Sequence, residues 1–213
     1  GFEDISLNEF LSIAEKDKVD IISGPLVDMY PEDISFSTRS FSENGAEVLN
    51  KCIYFDAHIE TELDFFPPYR IDRGGIRRRI FSGPTYLTKT PIFRGGGSIQ
   101  YLSANHTTTP GRLAPYSCCL LHYKFTPGAV QKYLTQINRG EHFNAGGRYR
   151  RFIELIRGGK SDIRGPKTTE YKDSKSLVKS GFLSPAMHAR NVNSISTYKE
   201  CACPLSTSPS PRD

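Results

Sequence analysis

The run of residues 118–125, Cys-Cys-Leu-Leu-His-Tyr-Lys-Phe, constrains the fold more than any other stretch. Side chains alternate between the two faces of a strand, and here both faces begin apolar, as in a strand covered on both sides. His122 and Lys124 share one face near its end. Thr126-Pro127-Gly128 then predicts the start of a helix, with Thr126 as its N-cap. This order is typical of α/β folds, in which ligands bind at the carboxyl ends of strands.

Helical spacing recurs elsewhere in the chain. Ser6-Leu7-Asn8-Glu9 has the form of a capping box and predicts a helix over residues 6–16. Two apolar stripes predict two more helices, joined as a hairpin through residues 138–147. The stripes consist of Val130, Tyr133, Leu134 and Ile137, and of Tyr149, Phe152, Ile153 and Ile156.

The remaining segments are shorter or less regular. Residues 19–27 predict a strand kinked at Gly24-Pro25, and residues 52–55 predict another. The polar residues 32–47 indicate a loop, and residues 177–183 indicate a brief return to the core. Residues 65–112 are rich in Pro, Gly and Arg. Their glycines suit either ordinary turns between short strands or close backbone approach to a phosphate.

Charge and cysteine content limit the classes of function. The net charge of +5 suits an anionic ligand without requiring one, and five arginines fall within residues 70–79. The sequence contains no stretch typical of a signal peptide or a membrane span. Five cysteines, two of them adjacent, make a poor disulfide framework, so Cys52, Cys118 and Cys119 are expected to be reduced core residues. The Cys201-Ala202-Cys203 spacing does not favour zinc binding.

The C-terminal tail differs in composition from the rest of the chain. Residues 186–213 are expected to be disordered, and the Ser/Pro-rich residues 201–213 resemble a non-native read-through segment. The functional interpretation therefore uses residues 1–185, expected to form one incomplete domain.

Six short motifs, in order, resemble glycosyltransferase family 2, in particular its bacterial-type branch. They read VDMYP at 27–31, GGIRRRIF at 74–81, YLTKTPIFR at 86–94, SANH at 103–106, LLHYKF at 120–125 and RGEHFNAGGRYRRF at 139–152. The resemblance implies the C-terminal part of a GT-A fold, which is Rossmann-like with a mixed sheet, followed here by a helical hairpin. It also implies transfer of a sugar from a nucleotide-sugar to an acceptor hydroxyl, with inversion.

The same resemblance implies roles for particular residues. His122 occupies the place of a histidine that ligates Mn²⁺ or Mg²⁺ beside the donor diphosphate. Lys124 matches a position that contacts phosphate or acceptor, and His106 matches one that contacts the acceptor or helps to bind the metal. The Gly-Gly-x-Arg segment supplies further substrate-binding residues, namely Arg73, Gly74, Gly75 and Arg77. The catalytic base cannot be assigned, and neither can the donor sugar, the acceptor or the linkage. A glycan or lipid-linked acceptor implies a cytoplasmic location with peripheral association at the inner face of the membrane.

One departure from the family pattern is important. The family's Asp-x-Asp motif, which binds the metal, does not occur in this chain. We therefore expect a fragment that carries acceptor-side elements and one metal ligand and is inactive alone. The alternative function is a basic module that binds RNA or another polyanion without catalysis, based on the arginines of residues 70–79. For His122, the alternative role is a hydrogen bond that caps the end of the strand.

Overall fold

The computed structural model describes residues 6–41, 44–57, 59–63, 70–81, 85–97, 99–103, 105–140 and 146–183. The predicted disordered tail over residues 186–213 lies outside these ranges. The helices are α1 (Leu7–Lys16), α2 (Gly45–Lys51), α3 (Gly75–Phe81), α4 (Ala129–Arg139), α5 (Gly147–Arg157) and α6 (Ser174–Lys179), with a 3₁₀ helix at Ile34–Thr38. The strands are β1 (Ile21–Met29), β2 (Tyr54–Asp56), β3 (Ile59–Leu63), β4 (Arg70–Gly74), β5 (Thr88–Phe93), β6 (Tyr101–Ser103), β7 (Thr107–Thr108), β8 (Leu120–Tyr123) and β9 (Thr168–Glu170).

A small mixed sheet lies at the centre of the fold. β1 is its middle strand, antiparallel to β5 on one side and parallel to β8 on the other. The kink predicted at Gly24-Pro25 corresponds to a shift in the β1–β5 register between Ile22 and Gly24. Three antiparallel pairs, β2–β9, β3–β4 and β6–β7, surround this sheet. The chain is therefore a mixed α/β protein, as predicted.

The local sequence explains where most helices begin. At α1 the capping box is present, since Ser6 Oγ accepts from the Glu9 amide and Glu9 Oε2 accepts from the Ser6 amide at 2.7 Å. The N-cap predicted at Thr126 is wrong. Helix α4 begins after Gly128, which has a φ of 80° and provides no side-chain cap. A Cβ there would lie 3.1 Å from Phe41 Cβ, so packing against Phe41 favours glycine.

Helix α3 is the largest difference from the sequence prediction. The sequence predicts for the glycines of residues 65–112 either turns between short strands or close approach to a phosphate, and it does not predict the helix over Gly75–Phe81. Its buried residues Ile76, Ile80 and Phe81 follow helical spacing and join a cluster with Phe125 of the β8–α4 connection and with α5. The apolar stripes predicted for α4 and α5 pack into the same cluster, where the Tyr133 and Tyr149 rings stack 4.4 Å apart. Side chains of α3, α4 and α5 thus pack into one hydrophobic cluster that is rich in aromatic rings.

A second core cluster forms around strand β1. Leu26, Val27 and Met29 of β1 pack with Phe55, Leu177 and Phe182, which confirms the return of residues 177–183 to the core. A third cluster joins Ala14 of α1 to Ile22 and Tyr116. Cys52 is buried in the second cluster, and the Cys52, Cys118 and Cys119 thiols are not in disulfides.

A partly buried polar network ties α3 to strands β2 and β9. Arg79 donates to both carboxylate oxygens of Asp56 at 2.9 and 3.0 Å, and the Tyr30 hydroxyl donates to Asp56 at 2.6 Å. The Thr168 hydroxyl contacts Tyr30 at 2.7 Å. Burial and the Asp56 carboxylate raise the pKa of Tyr30, so the phenol stays a donor. Every charged member of this network has a partner, as buried charges require.

No helix among the described ranges is both long and apolar enough to cross a bilayer.

Candidate functional site

The candidate site lies where the parallel strands β1 and β8 end. Asp28 of β1 is directly opposite His122 of β8, and the next pair is Met29 with Tyr123. Because parallel strands end at the same edge of a sheet, both polar side chains lie at the edge where α/β proteins bind ligands. The sequence predicts this position for His122, but it leaves the role of Asp28 open.

The Asp28 carboxylate is the centre of the site, and its side chain is wholly buried. Its Oδ2 accepts from Arg77 Nε at 2.6 Å, and its Oδ1 accepts from His122 Nδ1 at 2.7 Å. Gly75 lies next to the Asp28 carboxylate and has a φ of +66°. A Cβ on Gly75 would lie 3.4 Å from Asp28 Oδ2. Glycine at this position therefore lets α3 begin directly beside the carboxylate, which gives a structural reason for the Gly-Gly-x-Arg spacing.

His122 is oriented by its contact with Asp28. A carboxylate can only accept, so Nδ1 carries a proton, and Nε2 is the ring nitrogen left to contact a ligand. The side chain is 32% exposed, and the described residues give Nε2 no hydrogen-bond partner. A carboxylate that fixes the tautomer of a histidine is the usual outer partner of a metal-bound imidazole. The same arrangement also suits a general base.

Lys124 follows two residues later and is only partly exposed. Its Nζ lies 5.9 Å from the centroid of Phe81 and 5.7 Å from that of Tyr149, within range of cation–π attraction. Burial lowers the pKa of Lys124 to about 8, and the Arg77 charge adds to this shift, while Asp28 opposes it. Lys132 and Arg148 also act on it as cations. The described residues place no carboxylate in salt-bridge contact with Lys124.

His106 is held differently from His122. Its Nδ1 donates to the Thr88 carbonyl at 2.8 Å, and its Nε2 lies 3.1 Å from Lys89 Nζ, which can donate to it. Lys89 also bonds to Asn105. Both ring nitrogens of His106 are therefore engaged within the protein. Arg77 lies within electrostatic range of this group, since its charge lowers the pKa values of Lys89 and His106.

We expect His106 to titrate below the ordinary histidine pKa of 6.5, because burial lowers its pKa and the Lys89 and Arg77 cations add to this. The unfolded chain then binds more protons than the folded one just below pH 6.5, so His106 makes stability fall as the pH drops through this range. The pH dependence of the His106 ring proton shifts, assigned with a His106→Gln variant, measures the pKa. A midpoint at or above 6.5 would contradict the buried, cation-flanked environment.

The remaining predicted residues are Gly74, Arg73 and His106. Gly74 ends β4 at a φ of 129°, and its carbonyl accepts from Thr85 Oγ1 at 3.1 Å. The Arg73 guanidinium lies over the Tyr86 ring, 4.5 Å from its centroid. The Tyr86 ring is 5.8 Å from that of His106. The structure thus brings Gly75, Arg77, His122 and Lys124 together around Asp28, whereas Arg73 and His106 belong to a second group around Tyr86.

The described residues at this site offer one candidate metal ligand, which is less than a complete metal site. In the described ranges no three His, Cys, Asp or Glu side chains converge as a ligand set. His122 Nε2 offers a single imidazole nitrogen, which Mn²⁺ accepts and Mg²⁺, which prefers oxygen, accepts less readily. A metal at this place therefore needs most of its ligands from outside the described residues, such as the oxygens of a bound diphosphate.

Comparisons with protein-family models, with curated proteins and with solved structures find no match to this chain.

Three features of the site are not apparent in the sequence. Asp28 and His122 are 94 residues apart, and only the parallel register brings them into contact. In the sequence Lys89 resembles an ordinary strand lysine, but in the structure its Nζ lies 3.1 Å from His106 Nε2. Tyr133 and Tyr149 are apparent as apolar stripe positions, but their nearness to Lys124 depends on how α4 and α5 pack.

Proposed function

We propose that this chain carries part of a metal-dependent glycosyltransferase of family 2 with a GT-A fold. In this proposal His122 ligates a divalent metal, Mn²⁺ or Mg²⁺, that holds the diphosphate of a nucleotide-sugar. The observation that carries it is the Asp28–His122 hydrogen bond, which engages Nδ1 and leaves Nε2 without a partner among the described residues at the carboxyl edge of the sheet. The ordered motifs and the mixed α/β architecture support the same family.

Each residue of the site has a distinct task in this proposal. Asp28 positions His122 and is not the catalytic base, because its side chain is wholly buried and both of its oxygens accept hydrogen bonds. Arg77 neutralises Asp28. A divalent metal bound there would stabilise the negative charge that grows on the leaving diphosphate. None of these residues is assigned as the base that activates the acceptor hydroxyl. A glycan or lipid-linked acceptor and a cytoplasmic, peripheral membrane setting complete the proposal.

The alternative, an RNA- or polyanion-binding module, rests on the arginines of residues 70–79. Arg77 pairs with Asp28, Arg78 with Glu60 and Arg79 with Asp56. Arginines that pair with carboxylates of their own chain are less available to a polyanion, which weakens the support for this alternative. A steep loss of RNA-oligonucleotide binding with rising salt, with no effect of chelator, would favour the alternative.

The proposal is tested by measuring how strongly the chain binds pyrophosphate with and without Mn²⁺. Pyrophosphate supplies the charge of the donor diphosphate without requiring a nucleoside pocket. We expect Mn²⁺ to increase pyrophosphate binding in equilibrium dialysis, and His122→Ala to abolish this increase. Removing an orienting or ligating group costs at least about tenfold in metal affinity. His106→Ala is the matched control, since both ring nitrogens of His106 are engaged elsewhere, and it should keep the increase.

An increase that survives in His122→Ala would contradict the proposal. Electron paramagnetic resonance of Mn²⁺ provides a second readout, because immobilised Mn²⁺ has a broadened spectrum whether or not transfer occurs.

A further inference from the structure

Two adjoining cavities lie near the beginning of β1, away from the candidate site. The first has a volume of about 390 Å³ and is lined by Lys16, Asp17, Lys18, Val19, Arg112 and Pro115. The second has a volume of about 180 Å³, and its apolar lining consists of Leu11, Ala14, Val19, Ile22, Ile92 and Phe93. Val19 lines both cavities, so they are neighbours. Roughly 20 Å of strand β1, from Ile21 to Asp28, separates them from the candidate site.

The first cavity is positively charged. Lys16, Lys18 and Arg112 are exposed, and none of their side chains forms an ion pair with a described residue. Asp17 is the one carboxylate among the described lining residues. Its charge acts on the Tyr116 hydroxyl, because burial and then Asp17 raise the pKa of that group. Three cations against one carboxylate leave an excess of positive charge, which attracts an anion.

The backbone of Lys18 draws attention to its side chain. Lys18 has a φ of 54°, unlike any other non-glycine residue in the described ranges. It directly follows Asp17, the C-cap of α1, and its amide donates to the Glu15 carbonyl at 3.0 Å. Glycine is preferred at this position because a Cβ is strained there. A lysine in such a conformation points to a use for its side chain, and the first cavity lies beside it.

The second cavity is an apolar groove that continues along α1. Leu11 is 37% exposed, and Leu7, one helical turn before it, is 64% exposed. The charged residues at the rim of the groove are Glu15, Asp20 and Arg94. Asp20 Oδ1 lies 3.4 Å from Arg94 Nε, which leaves Glu15 as the acidic group of this rim. The surface therefore combines an apolar groove with a neighbouring cationic cavity.

We propose that this surface binds an anionic phospholipid at the face of a bilayer. The headgroup phosphate contacts Lys16, Lys18 and Arg112, and the groove beside Leu11 takes the upper part of an acyl chain. Ammonium and guanidinium groups form charge-assisted hydrogen bonds to phosphate, and surface helices bind anionic membranes through apolar side chains flanked by cations. A free phosphate would leave the groove empty, and an uncharged apolar ligand would leave the cations unused.

This inference deepens the proposed function, because it gives the peripheral membrane setting a particular surface. It rests on the proposed function only for the presence of a bilayer. It uses neither His122 nor a metal.

The experiment is cosedimentation of the whole chain with vesicles of phosphatidylcholine alone, or of phosphatidylcholine and phosphatidylglycerol in equal parts, at physiological salt. We expect binding to the mixed vesicles only. The double variant Lys16→Gln, Lys18→Gln should bind them at least about tenfold more weakly, since each lysine near an anionic surface contributes to the attraction. The double variant Lys175→Gln, Lys179→Gln removes the same charge from exposed positions of α6 and should change binding less than about twofold.

Two single variants test the groove and the role of Lys18. Leu7→Ser removes an exposed side chain that belongs to none of the core clusters, and it should weaken binding by about tenfold. Val178→Ser on α6, where the side chain is 53% exposed, is the control and should leave binding unchanged. Lys18→Gly should weaken vesicle binding while leaving the stability equal or higher, which a merely structural lysine would not do.

The outcomes separate this inference from the proposed function. Absence of binding to the mixed vesicles, or equal binding by the two lysine double variants, overturns the lipid site. Equal binding by Leu7→Ser and the parent chain overturns it too, because electrostatic attraction alone would then explain the binding. Inorganic phosphate that displaces the chain from vesicles at constant ionic strength would indicate a site for free phosphate and overturn it as well.

His122→Ala should bind vesicles as the parent chain does. Vesicle binding without any effect of Mn²⁺ on pyrophosphate binding would contradict the proposed function and support the lipid site. An effect of Mn²⁺ without vesicle binding would do the reverse.

Discussion

Gly24→Ala is expected to prevent folding, or to lower the free energy of unfolding by at least about 4 kcal/mol, the range of the most damaging single substitutions. A Cβ on Gly24 would lie 1.7 Å from the backbone carbonyl oxygen of Cys118, a separation that no rotamer can relieve. Gly24 also pairs with Lys89 of β5, so β1 cannot move away without losing this partner. The measurement is urea unfolding followed by circular dichroism.

Gly45→Ala is the matched control for Gly24→Ala. Gly45 begins α2, and a Cβ there meets nothing within 4 Å. Alanine should leave the stability unchanged or raise it by up to about 1 kcal/mol, because alanine is the better helix former. Equal stabilities of the two variants would show that β1 and the segment preceding β8 are not in contact at Gly24.

Asp28→Asn is expected to destabilise the protein by about 3–5 kcal/mol, because removing one member of a buried ion pair leaves the other charge uncompensated. Arg77 Nε lies 2.6 Å from Asp28 Oδ2, and the two side chains are only 13% and 0% exposed, so water compensates poorly for loss of the carboxylate. The amide would also present a donor where His122 Nδ1–H now requires an acceptor, unless its oxygen takes that place and leaves Arg77 unpaired.

The comparison for Asp28→Asn is the exposed Arg39–Glu47 pair, in which the Arg39 side chain is 61% exposed. Glu47→Gln should cost less than about 1 kcal/mol, as for most surface ion pairs. Urea unfolding of both variants measures the difference. A cost for Asp28→Asn no greater than that for Glu47→Gln would mean that the carboxylate does not hold the site together. An Asp28→Asn variant that folds allows a test of positioning, since it should also weaken Mn²⁺ retention.

Local patterns in the sequence were sufficient for several elements. The capping box predicts α1, and apolar spacing predicts α4 and α5, because these features depend on residues three to eight positions apart. The alternation of residues 118–125 places His122 at a strand end for the same reason. Helix α3 is not evident from the sequence because its single glycine, the preceding Gly74 and its three arginines resemble a turn, although Ile76 and Ile80 have helical spacing.

The contacts that define the site depend on long-range packing. The Asp28–His122 pair follows from the β1–β8 register, and the Arg77–Asp28 pair from where α3 begins; neither is encoded by nearby residues. The β8 strand was expected to be covered on both sides, yet its residues are each only partly buried. Sequence alternation predicts which residues share a face, but the degree of cover depends on neighbouring elements that a single segment does not specify.

The most direct test of the Asp28–His122 arrangement is a long-range ¹H–¹⁵N spectrum of the histidine rings at pH 8. We expect His122 to show a protonated Nδ1 and an unprotonated Nε2, because a carboxylate that accepts from Nδ1 fixes this tautomer. With Mn²⁺ and pyrophosphate added, the His122 signals should broaden while those of His106 broaden less. A His122 ring protonated at Nε2, or His122 signals unaffected by Mn²⁺ and pyrophosphate, would contradict the role assigned to this histidine.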